Sequence, residues 1–86
     1  MSIDREKLGE IMLYAYLGED EFGSGEIGIK QGLVPAGMIP LVSIHRDKLD
    51  RGYIVDGLQV QADLYCKIIV LASFKLVEII GVIEPK

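Results

Sequence analysis

The stretch Tyr53-Ile54-Val55-Asp56-Gly57-Leu58-Gln59-Val60-Gln61-Ala62-Asp63-Leu64-Tyr65-Cys66 decides how the rest of this chain is read. Two short apolar runs flank Asp56-Gly57, the dipeptide favoured in a two-residue type I′ hairpin turn. From Leu58 onward the even positions are Leu58, Val60, Ala62, Leu64, Cys66, Ile68, Val70 and Ala72, all apolar. The odd positions begin Gln59, Gln61, Asp63, Tyr65 and Lys67. Period two marks a strand with one buried face. A helix over 63–80, with Asp63, Lys67, Lys75 and Glu78 on one side, ranks second because it sets Leu71 within that polar side. A strand from 58 to 72 would run about 50 Å at ~3.3 Å per residue, so it must bend, as strands do at the corners of small barrels.

Beyond Val70 both faces turn apolar, and 76–83 is apolar except for Glu78 and Gly81. This predicts a strand covered on two sides. The run Ile69-Val70-Leu71-Ala72-Ser73-Phe74-Lys75-Leu76-Val77-Glu78-Ile79-Ile80 resembles the strand–short turn–strand ending of PRC-barrel and other SH3-like small barrels. The opening glycine-containing strand of the PRC pattern is missing, so the resemblance bears on fold alone.

Working back toward the N-terminus, Leu8, Ile11, Met12 and Ala15 fall at i, i+3, i+4 and i+7, which predicts a helix over 3–17. Ser2 or Asp4 is placed to cap it and Gly18 to end it. Residues 18–28, rich in glycine and acid, read as a loop, with a short strand near 27–30. A strand is expected from about 38 to 45, and the two prolines of 33–45 point to an edge strand or to strand ends. His45-Arg46-Asp47-Lys48-Leu49-Asp50-Arg51-Gly52 reads as a charged connection holding one helical turn. The expected fold is α+β in a single domain over 1–86. One N-terminal helix lies on an antiparallel sheet of about five strands from the β-rich region 29–84, curled into a barrel or sandwich.

Eighty-six residues give room for one modest core, yet half of them are apolar and mean hydropathy is +0.34. Apolar side chains in excess of interior space become exposed patches, which usually mark interfaces. A membrane span over 64–83 is disfavoured, because Lys67, Lys75 and Glu78 would each cost about 2.5–3.5 kcal/mol near its centre. The charged start of the chain does not suit a signal peptide. A lone cysteine suits a reducing compartment, so a cytoplasmic location is expected. Net charge is −4 and the basic residues are scattered. Both disfavour nucleic acid as the main partner.

Gly23-Ser24-Gly25-Glu26-Ile27-Gly28 matches G-x-G-x-x-G, but acidic residues surround it and Gly32 and Pro35 prevent a helix behind it. A phosphate site needs the opposite of both, so the segment reads as a connection. Glu19, Asp20, Glu21 and Glu26 lack calcium-loop spacing and read as a solvated loop. His45 is the only histidine, which argues against a zinc centre. Cys66 falls in the apolar row and reads as a buried, quiet thiol rather than the partner of His45. No cofactor is expected.

Two interaction sites are therefore predicted. One is the polar cluster His45, Arg46, Asp47, Lys48 and Arg51, on a connection of the kind that commonly carries function. The other is an apolar interface drawn from Tyr14, Tyr16, Ile69, Leu71, Val77 and Ile79. The expected function is a non-enzymatic structural or adaptor subunit that assembles with its own copies or a protein partner. The alternative is a small-ligand-binding or enzyme accessory subunit using the 45–51 turn and the glycine-rich loop. An enzyme in its own right lacks a nucleophile–base pair, a paired-carboxylate arrangement and a metal set.

Overall fold

A computed structural model describes residues 4–19 and 24–85. The chain runs α1 (Arg5–Glu10), β1 (Met12–Glu19), β2 (Ile27–Ile29), β3 (Gln31–Val34), β4 (Gly37–Pro40), β5 (Val42–Ser43), α2 (Arg46–Leu49), α3 (Gly52–Tyr65) and β6 (Ile69–Lys75). The α+β class holds, as helices combined with antiparallel sheets. The sheets are not closed into a barrel: a four-stranded sheet stands beside the two-stranded hairpin β3–β4.

The expected helix over 3–17 is only six residues long and gives way to the strand at the centre of the sheet. Asp4 caps it, accepting from the Glu6 N–H at 2.9 Å and the Lys7 N–H at 3.4 Å. The other suggested cap, Ser2, lies outside the described residues. Helix α1 buries no residue of its own. Ile11 through Leu17 is an unbroken apolar run, and a strand covered by neighbours on both edges suits it better than a helix with a wet side.

Strand β1 organises everything around it. On one edge it pairs with β6 along its length, from Met12 opposite Lys75 to Gly18 opposite Ile69. On the other edge it pairs with β5 near Tyr14 and Ala15, and with β2 from Leu17 to Glu19. Between those two short partners the chain leaves the sheet and returns. The Lys30 N–H donates to the Tyr16 carbonyl at 2.8 Å, the Leu41 N–H to the Lys30 carbonyl at 2.8 Å, and the Tyr16 N–H to the Leu41 carbonyl at 3.0 Å. These three bonds pinch the base of the β3–β4 hairpin. At its tip Pro35 sets the first corner and Gly37, at φ +118°, adopts a conformation open to little but glycine.

The proposed hairpin at Asp56-Gly57 is not formed, and of the strand expected over 58–72 only residues 69–72 are strand, in β6; residues 58–65 belong to α3. Ile54, Leu58 and Ala62 lie four apart, and a spacing of four satisfies both the period of a strand and the turn of a helix. Val60 and Leu64, which the strand reading needs buried, are exposed. A Gln59–Asp63 side-chain hydrogen bond of 2.9 Å links successive turns. The helix ends where Cys66 turns left-handed at φ 51° and the Lys67 N–H reaches back to the Ala62 carbonyl at 3.1 Å. Cys66 is therefore an exposed terminal residue and not a buried one. Residues 76–85 carry no regular structure, so the covered strand over 76–83, and with it the second strand of the small-barrel resemblance, is absent.

Gly57 supplies a sign test of this reassignment. A Cβ built there meets nothing within 4 Å, so Gly57→Ala should stabilise the chain by about 0.8–1 kcal/mol through helix propensity. In a type I′ turn, with positive φ required at that position, the same change would destabilise it. A urea titration of the two proteins decides the sign.

The core is small: Leu41, Leu49, Ile54 and Leu58, with Tyr14, Tyr16, Ile69 and Leu71 half-buried around it. It lies on the face of the sheet where α2 and α3 sit.

Candidate functional site: an uncovered sheet face

Side chains alternate across a strand, and residues directly opposite in an antiparallel pair share a face. Tyr14, Tyr16, Ile69 and Leu71 thus point to the helices and the core, as their packing shows. The register places Leu13 with Phe74, Ala15 with Ala72 and Val42, and Leu17 with Val70 and Ile29 on the other face. Every one of these eight residues is apolar. Ala15, at the centre, is buried. Leu13, Ile29, Val70 and Phe74 each keep between 39% and 49% of their surface exposed. Neither α2 nor α3 reaches this side, because both sit over the core on the other one.

The sheet is therefore apolar on two faces and covered on one. Open antiparallel sheets normally alternate apolar-in and polar-out, and a second apolar face marks a sheet buried on both sides. The whole chain points the same way. Its accessible surface is 7130 Å², against about 5,000 Å² expected for a folded monomer of this mass. Its radius of gyration is 15.6 Å, against about 12 Å for a compact chain of this length. Part of that excess is the tail over 76–85, where Val77, Ile80 and Ile83 are at least 91% exposed.

The residues predicted as an apolar interface are divided by this geometry. Tyr14, Tyr16, Ile69 and Leu71 line the core on the helix side, while Val77 and Ile79 stand in the exposed tail. The tyrosine hydroxyl of Tyr16 donates to the Leu49 carbonyl at 3.2 Å and ties α2 to the sheet. Burial raises its pKa above the ordinary value, as does the nearby Asp50 carboxylate, with Arg46 opposing them. It therefore stays protonated as a donor.

The polar cluster is on and around α2. His45 precedes the helix, Arg46, Asp47 and Lys48 form its exposed side, and Arg51 follows it, all of them solvent-exposed. Arg46 Nε lies 3.7 Å from the Asp50 carboxylate, an exposed pair worth little. His45 and Cys66 belong to separate elements, and among the described residues no three metal-ligating side chains come together.

A concavity with polar walls lies elsewhere. A groove of about 520 Å³ is walled by Gly18, Glu19, Glu26, Lys30, Gln61 and Tyr65, among others. The buried Lys30 ammonium donates to the Glu19 carbonyl at 3.5 Å, and Glu19 accepts from Lys67 at 2.8 Å. No residue of 45–51 lines this groove. Gly23 and the acids Asp20 and Glu21 lie outside the described residues, whereas Gly25 and Glu26 are exposed. Among the described residues no helix is long and apolar enough to cross a membrane. No family model, no curated protein and no solved structure matches this chain.

Proposed function

We propose that this protein is a non-enzymatic structural or adaptor subunit that assembles through its apolar sheet face, with its own copies or with a protein partner. The observation that carries this reading is the second apolar face of the β1–β6 sheet, with Leu13, Leu17, Ile29, Val70 and Phe74 on it and neither α2 nor α3 over it. Burying such a face at about 25 cal/mol per Å² favours association once several hundred Å² are removed from water. Structural subunits need no more than that: a rigid sheet, an apolar surface and a rim that sets register.

A charge in the middle of the face is the test. Leu13→Glu sits on a half-exposed position, so the monomer can solvate the carboxylate while an interface cannot. The variant should keep its circular dichroism spectrum and lose association at least ten-fold in sedimentation velocity. Unchanged association would mean that the face is not an interface. Lys48→Glu on α2, remote from the face, should change nothing.

A further inference from the structure

Helix α3 has two apolar sides, and the molecule covers one of them. Ile54 and Leu58 enter the core. Tyr53, Gly57, Val60 and Leu64 recur at steps of four, three and four residues, which holds them within about 60° of arc on a helix. That stripe stands about 110° from Ile54 and Leu58, and about 100° on its other side from Asp56, Gln59 and Asp63. It is therefore neither the core side nor the polar side. Tyr53 keeps 50% of its surface exposed, Val60 64% and Leu64 69%. This surface is separate from the sheet face, and assembly through that face makes no use of it.

The spacing names the kind of element that fits. Alternating steps of three and four make the seam between two packed helices, where side chains of one enter the spaces between side chains of the other. A strand, with its period of two, offers no matching repeat. Within the seam Gly57 is the open space, since a Cβ built there meets nothing within 4 Å. We propose that this seam docks on the α3 of a second copy of the chain, antiparallel, about a two-fold axis level with the midpoint between Gly57 and Val60.

Self-complementarity selects that occupant. Antiparallel pairing sets each Val60 against the partner's Gly57 and each Tyr53 against the partner's Leu64, so the space over each glycine is filled. A parallel pair would set glycine against glycine and leave a gap at the centre. The area agrees with a dimer. Leu33 and Met38 of the β3–β4 hairpin share a groove of about 350 Å³ with Tyr53 and Gly57, and keep 70% and 58% of their surface exposed. With the stripe they present on the order of 550 Å² of apolar surface. A symmetric contact removes about twice that, above the ~1,000 Å² that a specific interface needs. The contact is isologous, so it closes with two copies.

One flank opposes the contact. The same axis brings Asp56 near the partner's Asp63, twice, and like charges there repel. Replacing Asp56 by lysine turns both meetings attractive, whereas parallel helices would set that position beside the partner's Gln61.

Sedimentation velocity on the full-length chain reads the seam apart from the sheet face, because each contact has its own substitution. Val60→Glu, at an exposed helical position, should keep the circular dichroism spectrum, set two carboxylates beside the axis and weaken the seam at least ten-fold. Gln59→Glu makes the same charge change on the polar side and should leave association as it was. In the Leu13→Glu background, where the sheet face cannot join, the chain should still form a dimer, and adding Val60→Glu should return it to 9.5 kDa. In that background Asp56→Lys should tighten the dimer about three-fold or more, and Asp47→Lys on α2 should not. A monomeric Leu13→Glu chain overturns the seam and leaves the sheet-face reading standing. Val60→Glu doing no more than Gln59→Glu overturns it too, and hands the stripe to a different protein. So does Asp56→Lys doing no more than Asp47→Lys. Val60→Glu abolishing association while Leu13→Glu changes nothing supports the seam and sinks the sheet face.

Discussion

Leu41→Ala is expected to leave most of the chain unfolded at room temperature. Leu41 is 0% exposed and, among the described residues, is the largest side chain buried so completely. It sits where the chain re-enters the sheet, its backbone bonded to both Lys30 and Tyr16, and its side chain packs with Leu49, Ile54 and Leu58. Truncating a fully buried leucine costs about 3–5 kcal/mol, transfer and cavity together. A domain of this size holds roughly 4–13 kcal/mol in all, and a core of so few residues belongs at the lower end. Thermal melts followed by circular dichroism should show no cooperative transition, or a midpoint lowered by tens of degrees. A loss under about 1 kcal/mol would mean that the stabilising contacts lie elsewhere.

Gly32→Ala should also destabilise, by the opposite route. A Cβ at Gly32 would lie 2.8 Å from Leu41 Cδ2, 2.9 Å from Cδ1 and 3.1 Å from Cγ. An exposed leucine could swing aside, but this one is enclosed on every side, and overpacking a closed core costs about 1–3 kcal/mol. The two substitutions touch the same space and must be coupled. In the Leu41→Ala background the added methyl enters the cavity, so the double variant should be no less stable than Leu41→Ala alone. Denaturant titrations of the four proteins give the coupling; strict additivity would show that Gly32 and Leu41 do not meet.

Both predictions involve a junction that composition and periodicity do not reveal. Lys30 and Leu41 are eleven positions apart and are joined only because the β3–β4 hairpin is pinched at its base. Ile11, Met12 and Ala15 meet the helical template with Leu8 by accident of the unbroken apolar run from Ile11 to Leu17, and a run without polar residues satisfies any period. Ile54, Leu58 and Ala62 satisfy helix and strand alike, and Asp56-Gly57 tipped the balance wrongly because the packing of Ile54 and Leu58 into the core overrides its poor helix propensity. Local signals with a single physical meaning were legible: the Asp4 cap, the short strand near Ile27, and the single helical turn at 46–49.

The candidate surface was legible as a quantity and not as a place. Half of the side chains are apolar and few can be buried, so an exposed excess follows from length alone. Locating it needed β1 to be a strand. Once Leu13, Ala15 and Leu17 alternate with Tyr14 and Tyr16, the residues facing the core and those facing away exchange the roles that a helix would give them. Tyr14 and Tyr16 then complete the core, and their odd-numbered neighbours form the uncovered face.

The account therefore rests on association, and the molar mass in solution measures it directly. Light scattering behind a sizing column, over concentrations up to high micromolar, should report at least twice the 9.5 kDa of one chain, with dissociation on dilution. A homogeneous 9.5 kDa species at every concentration, with its apolar sheet face open to water, would contradict self-assembly.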